Sequence, residues 1–66
     1  MARASIHTIK TRDGWANQRP RSGTLRPVYK TRVEARHAGE ELARREHTEH
    51  VVHLTDGKIQ SRVSFD

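Results

Sequence analysis

Two Asp-Gly dipeptides, Asp13-Gly14 and Asp56-Gly57, each divide a pair of β-rich runs near opposite ends of a 66-residue chain, and they constrain its fold more than any other feature. Glycine reaches positive φ without strain and aspartate bonds its own backbone, so Asp-Gly between extended runs signals a β-hairpin. In the later pair, His50 to Leu54 and Ile59 to Phe65 flank Asp56-Gly57. A two-residue type I′ loop there pairs Leu54 with Ile59, Val52 with Ser61 and His50 with Val63. Val52, Leu54, Ile59 and Val63 then share one face, while Val51, His53, Gln60, Arg62 and Ser64 share the other, as a sheet covered on one side requires. In the earlier pair, Ser5 to Lys10 and Trp15 to Arg19, the loop length decides the faces. A three-residue loop, Arg12 to Gly14, is expected because it pairs Thr11 with Trp15 and gathers Ile9 and the single Trp on one face. In that register Ile6 joins Val51 on the open face.

Between the hairpins the apolar period changes from two to helical. Thr31 and Glu34 form a capping box, in which the hydroxyl accepts from the N3 amide and the carboxylate reaches back. The helix is expected from about Arg32 to Glu46, with Ala35, Ala38 and Leu42 as its stripe and Gly39 and Ala43 beside it. Glu40 with Arg44 and Glu41 with Arg45 are i,i+4 pairs in the favourable orientation. Pro20 to Pro27 reads as a basic loop, since two prolines and Gly23 interrupt a ladder. The expected fold is α+β: ββαββ, a four-stranded antiparallel sheet with one helix on one face. Residues 1–66 are expected to form a single small domain, with 1–4 a flexible tail and 20–27 the basic loop.

Such a chain has little to bury. Leu, Ile, Val and Phe number twelve of 66, and a domain of about 60 residues hides only ~60% of the surface its unfolded chain exposes. Stability is therefore thin without a partner or a second copy. With no cysteine, disulfide scaffolds and thiolate zinc sites are excluded. No apolar run reaches the ~20 residues of a membrane span, and the opening Met1-Ala2-Arg3-Ala4 lacks a signal-peptide apolar core. A cytoplasmic location without membrane association is expected.

Charge is distributed unevenly. Residues 1–33 carry eight Lys/Arg against one acid, +7, and residues 34–66 carry five against seven, −2. Lys10, Arg12, Arg19, Arg21, Arg26, Lys30 and Arg32 crowd within 23 residues. Guanidinium forks fit phosphate oxygens bidentately, so these residues point to DNA or RNA held electrostatically through its backbone. Base readout is not expected, because the exposed helix face is acidic at Glu40 and Glu41 and no aromatic platform is present. The competing reading pairs the arginines with helix acids such as Glu34 and Glu41. A different class of function also fits: a protein-binding or self-associating module, a regulator or inhibitor of a larger nucleic-acid machine. It would use the open face at Val51, His53, Gln60 and Arg62, or an added edge strand.

Catalytic and metal chemistry find little support. His47, His50 and His53 are spaced i, i+3, i+6, and His50 and His53 face opposite sides of a strand, so no metal site is expected. No walled pocket, placed base or phosphate-cradling loop is discernible, and neither an enzyme nor a cofactor is expected.

The ordered set Gly14-Trp15-Ala16, Tyr29-x-Thr31-x-x-Glu34-Ala35, Ala38, Leu42-Ala43, Val51-Val52-His53 and Asp56-Gly57-Lys58-Ile59 resembles a family of small bacterial proteins. It is the domain-of-unknown-function family "twenty-one eighty-eight", with its GWxV strand, T/K-x-x-E-A helix start and V-I-H…D-G-x-I hairpin. The resemblance covers about residues 6–63 and implies the same ββαββ layout. It brings no established activity and no catalytic residue. Asn17, where the family usually has an apolar residue, and Arg19, in a strand that is normally less basic, depart from the pattern.

Overall fold

A computed structural model of the chain describes residues 5–20 and 22–65. Three strands come first: β1 (Ile6–Thr11), β2 (Gly14–Arg19) and β3 (Gly23–Tyr29). Helix α1 (Arg32–Glu46) follows, then β4 (Glu49–His53) and β5 (Ile59–Ser64). The single sheet has five strands in the order β3-β2-β1-β4-β5, with β1 and β4 parallel and every other pair antiparallel. The fold is α+β with one helix and one sheet, as expected, but the sheet is neither four-stranded nor purely antiparallel.

The extra strand accounts for both differences. Pro20 to Pro27 does not stay a loop, because Gly23 to Tyr29 pairs along β2. Pro27 is tolerated there because β3 is an edge strand, where a missing amide hydrogen need not break a ladder. A β1-β2-β3 meander leaves β3 running in the direction of β1. The helix then carries the chain back across the sheet, so β4 enters beside β1 and parallel to it.

The helix forms where its capping signals place it. Thr31 is the N-cap, its hydroxyl oxygen accepting from the Glu34 amide at 3.2 Å and donating to the Glu34 carboxylate at 2.9 Å. At the other end His47 adopts φ 55°. The Thr48 amide donates to the Ala43 carbonyl at 3.0 Å and the His47 amide to Arg44 at 3.3 Å, a Schellman termination with histidine where glycine is usual. Ala35, Gly39 and Ala43 are the buried stripe, at i, i+4, i+8. These small residues let α1 sit close on β1, β2 and β4, but α1 does not reach β5.

Both hairpins use loops of a length other than expected. In the first, Thr11 pairs with Gly14 and Lys10 with Trp15, leaving Arg12 and Asp13 as a two-residue loop. Ile9 consequently pairs with Ala16 on the open face, while Trp15 joins Thr8 and Asn17 on the helix side. Ile6 also lies on the helix side, paired with His50 and fully buried. In the second, the Gly57 amide donates to Leu54 at 2.9 Å and the Leu54 amide to Lys58 at 2.7 Å, closing a three-residue loop with Gly57 at φ 94°. Val52 with Ser61 and His50 with Val63 pair as expected, but a register shift after Val52 sets Ile59 against His53 and not Leu54. The core is correspondingly small: Ile6, Ala16, Ala35, Ala43, Val51 and Val52.

Candidate functional site

The topology divides the cationic residues of the first half into groups with different surroundings. Lys10 is the last residue but one of β1, Arg12 is in the first hairpin loop, Lys30 follows β3 and Arg32 opens α1. Because Trp15 pairs with both Lys10 and Tyr29, all four lie at one end of the sheet. The β4–β5 turn with Lys58 is at the same end, since β4 runs parallel to β1. Asp13, Glu34 and Asp56 are the acids there, so five cations face three anions, an excess of two. Glu34 is committed to the helix cap and Asp56 accepts from the Lys58 amide at 3.0 Å. The Arg32 guanidinium lies over the half-buried Trp15 ring, 5.9 Å from its centroid, a cation–π contact that holds one cation in place.

Arg19 belongs elsewhere. It sits at the far end of β2, where its guanidinium makes two hydrogen bonds to the Glu46 carboxylate on the last turn of α1. The pair is largely shielded from water, and the hydrogen bond to Glu46 raises the Arg19 pKa. This guanidinium ties the helix end to the sheet, and it leaves the expected patch. Arg26 is exposed midway along edge strand β3, and Arg21 lies outside the described residues. The seven residues therefore do not form one loop-borne cluster.

The open face is also more internally satisfied than its sequence suggests. Val51 is only 1% exposed, and the Arg62 guanidinium lies 3.5 Å from the Glu49 carboxylate. Gln60 is the extra residue at the register shift between β4 and β5. His53 is part of a hydrogen-bonded chain that runs across the sheet. Ser5 Oγ is 2.9 Å from His7 Nε2, His7 Nδ1 is 2.8 Å from His53 Nε2, and His53 Nδ1 is 3.0 Å from the Gly57 carbonyl. The carbonyl can only accept, so His53 Nδ1 donates. His53 Nε2 in the neutral ring then accepts from His7 Nδ1–H, and His7 Nε2 accepts the Ser5 hydroxyl proton. Desolvation by burial, then the neighbouring His53, hold the His7 pKa below the usual imidazole range; Glu49 opposes the shift and Arg62 adds to it. Sequence reasoning missed this pair, because His7 is 46 residues from His53 and only the parallel β1–β4 pairing brings them together.

A second polar set lies beneath the helix. His50 Nε2 is 2.8 Å from Thr8 Oγ1, which donates to Asn17 Oδ1 at 2.7 Å, and Asn17 Nδ2 donates to the Ala35 carbonyl at 3.0 Å. All three side chains are buried. Asn17 is thus satisfied in the core by partners on β1 and α1. His47, His50 and His53 end the helix, fill the core and join the open-face chain respectively. Among the described residues no group of three or more His, Cys, Asp or Glu converges as metal ligands.

The family model described as "Uncharacterized protein conserved in bacteria (DUF2188)" matches residues 6–65. The chain belongs to this family. It is similar to "Uncharacterized protein YdaT" of Bacillus subtilis (strain 168), at 33% identity over 57 residues, covering 86% of this chain and 38% of that protein. The chain thus spans well under half the length of that relative. No solved structure matches it. The residues that carry the DUF2188 resemblance largely serve the fold here: Thr31 and Glu34 cap α1, Ala35, Ala43, Val51 and Val52 are buried, and Gly57 turns the second hairpin. No described helix is long and apolar enough to cross a membrane.

Proposed function

We propose that this domain is a non-catalytic module that contacts the phosphate backbone of a nucleic acid through the end of the sheet bearing Lys10, Arg12, Lys30 and Arg32. The reading rests on one observation. The ion pairs to described carboxylates take Arg19, Arg44 and Arg62, all away from this end, and none of the four cations here is engaged in one. Two chain segments far apart in sequence supply them, Lys10 and Arg12 at the β1–β2 turn and Lys30 and Arg32 at the β3–α1 junction, so the charge belongs to the folded domain and not to one flexible loop. Lys10, Arg12 and Lys30 are exposed, and the N-terminal end of α1 adds its partial positive charge to theirs. Backbone binding of this kind is independent of base sequence and weakens steeply with salt. DNA and RNA serve equally for such contacts.

Trp15, the chain's single tryptophan, lies under Arg32 and reports on the site through its fluorescence. Titration with a short duplex at low salt is expected to change that signal, and the wild-type protein to be retained on heparin. Replacing Lys10, Arg12 and Lys30 together by alanine is expected to abolish retention and to lower the log–log salt slope by about 0.9 for each phosphate left without its cation. Thermal stability should stay within ~0.5 kcal/mol of wild type, as for other exposed substitutions. Arg45→Ala, on the exposed helix surface, serves as the control that should bind almost normally. A wild-type protein that passes through heparin unretarded at low salt ends this reading.

A further inference from the structure

An open groove borders the cationic end of the sheet, where the last residue of β3 meets the first turns of α1. Tyr29, Val33 and Ala38 supply its apolar lining, and its volume is about 540 Å³, within the ~300–1,000 Å³ usual for small-molecule clefts. Val33 is 63% exposed, more than any other large apolar side chain among the described residues. The chain's three aromatic residues differ in their cover. Trp15 lies under the Arg32 guanidinium and Phe65 under that of Arg44. The Tyr29 ring instead forms a wall of the groove. That wall exists only because Gly23 to Tyr29 pair as a strand that ends beside the helix start. The charged groups around it are unevenly committed. Glu40 is paired with Arg44 at 3.3 Å. Glu34 accepts from the Thr31 hydroxyl at the helix N-terminus, where the helix dipole offsets a negative charge. Arg36, also on the groove, is in no ion pair with a described carboxylate. Lys30 and Arg32 adjoin Tyr29 and Val33 in the chain.

We propose that this groove receives an unpaired base of a single-stranded nucleic acid, the base stacking on Tyr29 beside Val33 while Lys30, Arg32 and Arg36 hold the flanking phosphates. The groove adjoins the cations of the phosphate-backbone reading, so this assignment rests on that reading and specifies its substrate as single-stranded. The occupant follows from charge complementarity. An apolar slot rimmed by uncommitted cations suits a flat apolar body attached to an anionic backbone, and a nucleotide within a strand is that combination. A purely apolar segment would fill the slot but leave the three cations unanswered. A duplex keeps its bases stacked on one another and presents phosphates to the surface, whereas a single strand can turn a base outward onto an aromatic side chain. Stacking accepts any base, since each has a π-face, so the groove confers a preference for unpaired strands without reading their sequence.

The test compares two labelled strands of equal length, an oligodeoxythymidylate and a stable abasic analogue that carries the same phosphates without bases. Fluorescence anisotropy should show the base-bearing strand bound about tenfold more tightly by the wild-type chain, the effect of one stacked base. The log–log salt slope should be the same for both strands, because it counts phosphates. Tyr29→Ala should abolish the difference between the strands and Tyr29→Phe should preserve it, while heparin retains both variants as it does the wild type. Circular dichroism checks that each variant is folded. Should Tyr29→Ala fail to fold, Val33→Gln takes its place, at an exposed helix position, and should narrow the difference. Equal affinity of the wild-type chain for the two strands, with heparin retention intact, overturns the proposal, leaves phosphate binding standing and gives the groove to another occupant, such as an apolar protein segment. A preference for bases that survives in folded Tyr29→Ala overturns it too, since the base then stacks elsewhere. Loss of heparin retention by the wild type ends the phosphate reading and this one with it.

Discussion

A single position under the helix shows how closely this small core is fitted. Gly39 lies on the buried stripe of α1, and a Cβ there would overlap Asn17 Oδ1 and stand 2.7 Å from His50 Nε2 and 2.9 Å from Thr8 Oγ1. In most helices alanine outperforms glycine by ~1 kcal/mol. Here the methyl would press on three hydrogen-bonded polar groups that have no apolar refuge. Gly39→Ala is therefore expected to destabilise the protein by about 1–3 kcal/mol, the usual cost of overpacking, measured by denaturant unfolding. A stabilised variant would mean that the polar layer shifts aside freely. The same layer explains how Asn17 is accommodated in the core: its amide bonds both ways, to Thr8 and to the Ala35 carbonyl. Arg19, near the rim of the same sheet, is neutralised by Glu46. Its partner lies 27 residues away, and only the three-dimensional packing of the helix end on β2 selects Glu46 over Glu34 or Glu41.

At the scale of elements, legibility followed whether a signal was local. The helix, from Thr31 cap to Glu46, was readable because the capping box and the small-residue stripe act within a few residues. Both hairpins were readable as hairpins, but not their loops. Asp-Gly leaves glycine free to close a two-residue loop, to end a three-residue one, or to begin the next strand, and packing chooses among these. Trp15 finds its cover from Arg32 and Tyr29 across the sheet and needs no Ile9 beside it. That register, fixed at a distance, moved Ile9 and Ile6 to the faces opposite those expected. The third strand was hidden by its prolines, which are breaker signals in the middle of a sheet but tolerable at its rim. With that strand missed, the parallel β1–β4 pair, and with it the meeting of His7 and His53, was out of reach. The cationic residues were identifiable singly, whereas their division between a free end and the Glu46 pair was not. The loop assignment at Gly57 carries its own prediction. Its φ of 94° disfavours a side chain, although a Cβ there would meet open space. Gly57→Ala should cost more than ~1 kcal/mol through backbone strain alone. Thermal unfolding at neutral pH reads this directly, and indifference to the change would mean that the turn relaxes to another conformation.

For the whole molecule, the histidines couple stability to pH. His50 is buried beneath α1, and desolvation lowers its pKa from the usual 6.5; Glu40 opposes the shift, while Arg36 and His7 add to it. His7 is lowered for the same first reason, then by His53. In the unfolded chain both rings return to about 6.5. Above that value neither state binds a proton at these sites, and the fold keeps its full stability. As pH falls below it, the unfolded chain takes up protons that the folded chain resists, so stability declines until pH passes the lowered folded values. The slope is bounded by about 1.4 kcal/mol per pH unit for each proton taken up on unfolding. The hydrogen bond from His50 Nε2 to Thr8 does not oppose protonation, since that nitrogen already carries a hydrogen. The opposition comes from burying the charge. Across the open face, a proton added to His7 enters at Nε2, the nitrogen that accepts from Ser5, and leaves the His7 Nδ1–H bond to His53 Nε2 in place between β1 and β4. Protonation also adds to a net charge of +5, and that repulsion acts in the same direction. The melting temperature is accordingly expected to be level from pH 8 to about 6.5 and to fall steadily towards pH 5. His7→Gln should flatten part of that fall, and NMR titration of the ring protons should give His7 and His50 pKa values below that of a free imidazole. A melting temperature that rises on acidification, or ring titrations at the free value, would show that burial does not hold these histidines neutral.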